Sequence, residues 1–154
     1  MQADIAGVIA LQRATPEAAQ WLASDYERLL APEASPNFDE GVAVAEVRTR
    51  VSGFIVWRSA AGECEILNLA VDAAVRRQGI GAALLSYVLE RARSSGARRV
   101  FLEVRESNRP AQLFYTRYGF LPGGRRPRYY SQPEEDAVIL SLTLASATPR
   151  SLRG

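Results

Sequence analysis

Histidine and lysine are both absent from the 154 residues, and cysteine and methionine occur once each. Without histidine there is no serine–histidine or cysteine–histidine nucleophile pair, and most zinc sites lose a ligand type. Without lysine there is no Schiff-base amine and no Walker A loop. The single cysteine, Cys64, can form no internal disulfide, which fits a reducing compartment and a cytoplasmic location. With no histidine to activate it, Cys64 reads as a small buried residue in a strand and not as a nucleophile. No apolar run approaches the length that spans a bilayer, so no membrane partner is expected. The first ten residues are apolar but contain Asp4 and lack a basic start, and they do not read as a secretory signal.

What is present is ordinary for a globular chain: 47% of residues are apolar, and the length suits one domain, assigned to residues 1–144. The last ten residues, 145–154, read as a disordered tail. All 19 basic residues are arginine, yet the net charge is only +2, too little to argue for direct nucleic-acid binding.

Residues 5–11 read as a strand. Thr15, Pro16 and Glu17 then read as a helix start, with Thr15 as N-cap and Pro16 at the first helical position, the helix running to about Leu30. Pro32 and Pro36 mark a loop. Two strands follow, near 42–48 and 53–58, with a turn at 59–62. The strand at 64–71 is nearly all apolar around Asn68 and is expected to be central in its sheet. Apolar residues at helical spacing predict a helix over 79–94, with Gly96 as its C-terminal stop. A strand at 99–105 and a short helix at 108–118, ended by Gly119, come next. Residues 120–144 read as two strands joined by a polar, proline-rich loop. This alternation predicts an α/β or mixed α+β fold.

The chemically informative segment is 71–82. Arg76, Arg77, Gln78, Gly79, Ile80, Gly81 and Ala82 lie between a strand and a helix. Two glycines let backbone approach a ligand, and the helix start offers free N–H groups and a positive dipole end. With Arg76 and Arg77 beside it, this turn has the makings of a diphosphate cradle. The spacing is not that of the dinucleotide-binding GxGxxG.

This pattern, Arg76-x-x-Gly79-x-Gly81-Ala82 after the strand ending Leu69-Ala70-Val71, resembles the pyrophosphate-binding motif of the GNAT superfamily of N-acetyltransferases. Asn108 followed by Tyr115-x-x-x-Gly119-Phe120 also resembles that superfamily. The resemblance implies a mostly antiparallel seven-stranded sheet, a central parallel pair that splays apart, and about four flanking helices. It implies acetyl-CoA as cosubstrate and no metal. Its contacts would be Leu69, Ala70 and Val71, the loop Arg76, Arg77, Gln78, Gly79, Ile80, Gly81 and Ala82, and Asn108.

Within the superfamily the chain is similar to bacterial ribosomal-protein-alanine N-acetyltransferases. The residues carrying this are 66–72, Leu102-Glu103-Val104-Arg105-x-Ser107-Asn108, and Arg125-Arg126-x-x-Tyr129-Tyr130 followed by Glu135-Asp136-Ala137. It departs at Arg76, where glutamine is common, and at Arg128 and residues 131–134, on the expected acceptor side. The resemblance implies Glu103 as general base and Tyr115 as general acid.

Independent reasoning agrees with those roles. Acetyl transfer to an amine removes a proton from the attacking ammonium and returns one to the departing thiolate. Glu103 stands in an otherwise apolar strand, where partial desolvation would raise its pKa; the structural alternative is an ion pair with a nearby arginine. A phenol titrating near ~10 stays protonated at neutral pH and can donate. Asn108 and Tyr115, seven apart, share one helix face. Alternatively, Asn108 is only a helix cap and Tyr115 only core.

For the acceptor, neutralising an α-amine at pH 7 costs roughly 1 kcal/mol, against roughly 4.6 for lysine, which favours a protein or peptide N-terminus. The alanine of a small-subunit ribosomal protein is the acceptor the resemblance implies. Tyr129 and Tyr130, with Glu134, Glu135 and Asp136 near them, are the residues expected to grip it. Lysine or small-molecule amines, and acyl-CoA binding without catalysis, are the competing readings.

Overall fold

Residues 54–57 alternate between two faces. Phe54 and Val56 point one way, Ile55 and Trp57 the other, and all four are buried. A strand buried on both faces needs a layer on each side. The computed structural model, which describes residues 2–29, 39–131 and 133–144, supplies both. On one side lie helices α1 (Gln2–Arg13) and α2 (Ala23–Leu29). Val8, Leu11 and Tyr26 of that layer pack on Phe54, Val56 and Ala70. On the other side lies α3 (Ile80–Ser94), whose Leu84, Leu85 and Val88 cover Ile55, Trp57, Ile66 and Val100.

The strands are β1 (Asp39–Val47), β2 (Arg50–Ala60), β3 (Glu63–Val71), β4 (Arg99–Arg105), β5 (Leu121–Ser131) and β6 (Glu134–Thr143), with α4 (Arg109–Arg117) between β4 and β5. They form one six-stranded sheet in the order β1-β2-β3-β4-β6-β5. Every pairing is antiparallel except β3 with β4. The expected mixed α+β class, central β3 and parallel pair are therefore present, with six strands where the resemblance implied seven.

The missing strand is the first segment, which is helical. Its Ile5, Val8, Ile9 and Gln12 recur at i, i+3, i+4 and i+7, a helical stripe, and Val8 and Gln12 are buried. This helical burial pattern overrides the strand expected at 5–11. The second correction concerns Thr15. It starts no helix: its hydroxyl donates to the Leu11 carbonyl (2.9 Å) and closes the end of α1, with Pro16 just beyond. Helix α2 begins eight residues after Thr15, where the Leu22 N–H donates to Asp25 (2.9 Å), half of a capping box.

Between Thr15 and α2 the chain is a loop held by buried polar groups. The Asn68 amide donates to the Ala19 carbonyl (2.9 Å) and accepts from the Ala19 N–H (3.2 Å). Tyr26 donates its hydroxyl proton to Gln12 (2.6 Å), and Gln12 donates to the Trp21 carbonyl.

The third correction lies in the last hairpin. The proline-rich segment is mostly strand, since β5 reaches Ser131 and β6 starts at Glu134. The register slips between Arg126 and Tyr130, so Pro127, Arg128 and Tyr129 stand opposite Asp136 alone. Proline has no N–H for a ladder, which suits this bulge on an edge strand. The residues expected to form a loop at 32–36 and a tail at 145–154 lie outside the described residues.

Candidate active site

The β3–β4 pairing is short. It joins only Glu63, Cys64 and Glu65 to Arg99, Val100 and Phe101, and then stops. Just past that point β3 carries an extra residue: Val56 pairs with Asn68 and its neighbour Trp57 with Ile66, leaving Leu67 as a bulge. Leu69, Ala70 and Val71 stay paired to β2 on one side, while no strand pairs with their other edge among the described residues. That edge borders a cleft of about 760 Å³.

The wall opposite the strand edge is the start of α3. Gly79, its N-cap, has φ 82°, a left-handed conformation that favours glycine, and no side chain caps this end. A methyl group on Gly79 would meet nothing within 4 Å, so the space above the helix end is open. Arg77 is also left-handed, at φ 67°. Close approach of α3 to the sheet depends on Gly53, where a Cβ would come within 2.8 Å of Ile80. Arg76, Arg77, Gly79, Ile80, Gly81 and Ala82 all line the cleft, together with Leu69, Ala70 and Val71. Gln78 does not.

Helix α4 closes the far side. Asn108 and Tyr115 both face the cleft, as their seven-residue spacing predicted. Both structural alternatives hold as well. Asn108 is the N-cap, its side-chain oxygen accepting from the Ala111 N–H (3.3 Å). Tyr115 is 4% exposed and packs its ring edgewise on Phe114 and Phe120. Burial alone pushes the Tyr115 phenol well above its ordinary range, with no hydrogen bond contributing. It is a neutral donor at any physiological pH.

Glu103, Tyr129 and Tyr130 lie outside this cleft and form a cluster of their own. Val100, Leu102 and Val104 of β4 belong to the α3-side core, so Glu103 falls on the opposite face. Its side chain is 10% exposed and pairs with Arg126 (Nε to Oε1, 2.7 Å), the arginine pairing that the sequence left open. The same carboxylate engages Tyr129 and raises its phenol pKa. Tyr129 and Tyr130 stack edge-on at 5.0 Å, and the Arg105 guanidinium lies 4.3 Å from the Tyr130 ring centroid. Burial pushes Tyr130 up to about 12.

Of the three acidic residues expected beside the tyrosines, Glu135 has a different task. It accepts from the Ser107 N–H (2.7 Å), the Ser107 hydroxyl (3.0 Å) and Arg105 (3.4 Å), pinning the turn that carries Asn108. These bonds hold its carboxyl below the ordinary value of 4.5. Asp136 closes the β5 bulge by accepting from the Arg128 N–H (3.1 Å), and Glu134 pairs with Arg128.

Sequence reasoning missed one wall of the cleft. Thr15, Glu17 and Ala18 line it from the α1–α2 loop. Asn68, a polar residue in an apolar strand, was the available signal, because it clasps that loop. Phe114 of α4 and Tyr118, its C-cap, also line the cleft. Among the described residues no group of three or more acidic, cysteine or histidine side chains could hold a metal ion. No helix among the described residues is long and apolar enough to cross a membrane.

The family model for the acetyltransferase (GNAT) family matches residues 8–120. The chain belongs to that family. Among GNAT relatives, a Bacillus subtilis (strain 168) protein, provisionally named a ribosomal protein bS18-alanine N-acetyltransferase, is 40% identical over 82 residues, 53% of this chain and 54% of its own length. The Escherichia coli (strain K12) bS18-alanine N-acetyltransferase is 33% identical over 98 residues, covering 62% of this chain and 66% of its own. The chain thus matches between half and two thirds of these relatives' length. Ard1 from Thermoplasma volcanium superposes with a TM-score of 0.79 at 32% identity, covering 94% of both chains. A Bacillus anthracis acetyltransferase structure solved with acetyl coenzyme A shares the fold, with a TM-score of 0.68 at 24% identity over 78% of this chain and 68% of its own.

Proposed function

We propose that this GNAT chain transfers the acetyl group of acetyl-CoA to the α-amine of a protein N-terminus, in particular the alanine of a small-subunit ribosomal protein. The observation that carries the reading is the cleft between the splayed β3 and β4, where a free strand edge meets an uncapped helix start. The strand edge at Leu69, Ala70 and Val71 offers backbone donors and acceptors suited to the amides of a pantetheine arm. The first N–H groups of α3, with Arg76 and Arg77 beside them, suit a diphosphate. Asn108 and the aromatic face of α4 complete the enclosure. The absence of a Cβ at Gly79 leaves room for phosphate oxygens to reach the backbone.

The thioester supplies the acyl group, and the chain's own residues handle the protons. Glu103, which stands outside the cleft, takes through water the proton that the acceptor ammonium must lose. Tyr115 gives its hydroxyl proton to the departing sulfur, a role suited to a buried phenol that stays protonated. Tyr129 and Tyr130, on the bulged edge of β5, flank the acceptor as it reaches Glu103. The names of the bS18-alanine N-acetyltransferase relatives support the choice of acceptor.

The test is an acetyl-CoA assay against hexapeptides that differ at the first residue, with the modified nitrogen located by mass spectrometry. Acetylation at the α-nitrogen, fastest with alanine first, is expected. Acetylation confined to internal lysines would overturn the acceptor assignment.

A further inference from the structure

We propose that Arg126 is a built-in stand-in for the acceptor cation. Its guanidinium occupies the Glu103 carboxylate at rest and is exchanged for the acceptor's ammonium, so that the site admits cationic amines in preference to neutral ones. The inference deepens the proposed transferase reading and rests on Glu103 meeting the acceptor.

Glu103 is largely buried and pairs with Arg126 at 2.7 Å, with Tyr129 beside it. Arg126 is the last residue in register before the slip, opposite Ala137, and Tyr129 lies within it, so both groups come from one stretch of β5 at the bulge. Beyond Arg126 the bulge lacks regular ladder partners. Pro127 has no N–H to give, Arg128 sits at φ 54°, and the Arg128 N–H is held by the Asp136 side chain instead of a strand partner. Arg126 itself is 56% exposed, so its side chain can swing out without unpacking a core.

Neighbouring arginines are committed elsewhere. Arg125 pairs with Glu106 and Asp136, Arg128 with Glu134, and Arg105 with Glu135. Only Arg126 pairs with Glu103 among the described residues. Exchange of one cation for another never leaves the mostly buried carboxylate unpaired, a state that is costly. A neutral nitrogen has no charge to offer in return, so the plug stays in place.

The experiment is calorimetric titration of an alanine-first hexapeptide amide, and of the same peptide N-acetylated, into the full chain. Wild type, Arg126→Ala, Arg126→Gln, Arg126→Lys and Glu103→Gln are compared. The free-amine peptide is expected to bind the Ala and Gln variants about tenfold more tightly than wild type, a gain of about 1.4 kcal/mol. Arg126→Lys restores wild-type affinity, the N-acetylated peptide shows no change, and adding Glu103→Gln to Arg126→Ala abolishes the gain. Equal or weaker binding of the free amine to both uncharged variants overturns the proposal. Turnover with acetyl-CoA is read separately. A gain in affinity without turnover in any variant sinks the transferase reading and leaves the plug standing, whereas turnover without the gain does the reverse.

Discussion

Tyr115 is both a packed core residue and the proposed proton donor, and Glu103 is the proposed base. The Tyr115 ring is core, packed against Phe114 and Phe120, while the residue also lines the cleft and its pKa shift owes nothing to a hydrogen bond. Tyr115→Phe therefore removes the hydroxyl and little else. The melting temperature should move by no more than about 2 °C, since no protein hydrogen bond is lost. Turnover should fall about a hundredfold with acetyl-CoA affinity nearly unchanged. Stopped turnover measured beside calorimetric binding checks this, and equal losses in both would reassign Tyr115 to structure. Glu103→Gln should cost a similar factor, but unevenly across pH. At pH 6 to 7 most of an α-amine is protonated and needs a base. Above its reference value near ~7.8 it is already neutral. The deficit should shrink as pH rises through that range, and a parallel offset at every pH would argue against proton abstraction.

At the scale of elements, the glycine turn and the β4–α4 turn set the cleft's dimensions by different means. Gly79 is required by its φ of 82° and not by crowding, because an added methyl meets nothing within 4 Å. Gly79→Ala should destabilise the fold by about 1 kcal/mol through backbone strain. It should also raise the KM for acetyl-CoA, since the methyl projects where the diphosphate is proposed to lie; denaturant titration and steady-state kinetics separate the two effects. The β4–α4 turn depends on a carboxylate. Glu135 has a depressed pKa in the folded state, so its stabilising contribution is complete above the ordinary value of 4.5 and fades as pH falls below it. Glu135→Gln should lower stability at pH 7, and the difference from wild type should narrow in acid. Because Ser107 hands Asn108 to the cleft, the variant should also raise the acetyl-CoA KM. A stability difference that widens below pH 4 would contradict this account.

Across the whole molecule, the sequence was most legible where local pattern and tertiary role agree. Residues 64–105 form strand, turn, helix and strand much as their periodicity predicts, and the glycine turn at 76–82 lies within them. Legibility failed where long-range burial overrides local preference. The first segment is helical because Val8 and Leu11 pack on Phe54 and Val56, far along the chain, whereas Thr15 is a cap read at the wrong end, its hydroxyl turning back to the Leu11 carbonyl. The Tyr129 bulge was equally hidden, since a register slip depends on Asp136 across the hairpin. Asn68 joins these levels. Its amide clasps Ala19, 49 residues away, and so fixes the loop that brings Thr15, Glu17 and Ala18 to the cleft. In Asn68→Ala the Ala19 N–H and carbonyl lose their partner, at a cost of about 1–3 kcal/mol. The sheet should survive, because Phe54, Val56 and Ala70 still pack beneath α1 and α2. The loop should not hold its place. Hydrogen exchange is expected to quicken across residues 16–22 while β2 and β3 stay protected, and the KM for both substrates should rise. Uniform quickening over the whole chain would show instead that the clasp supports global stability and not the cleft wall alone.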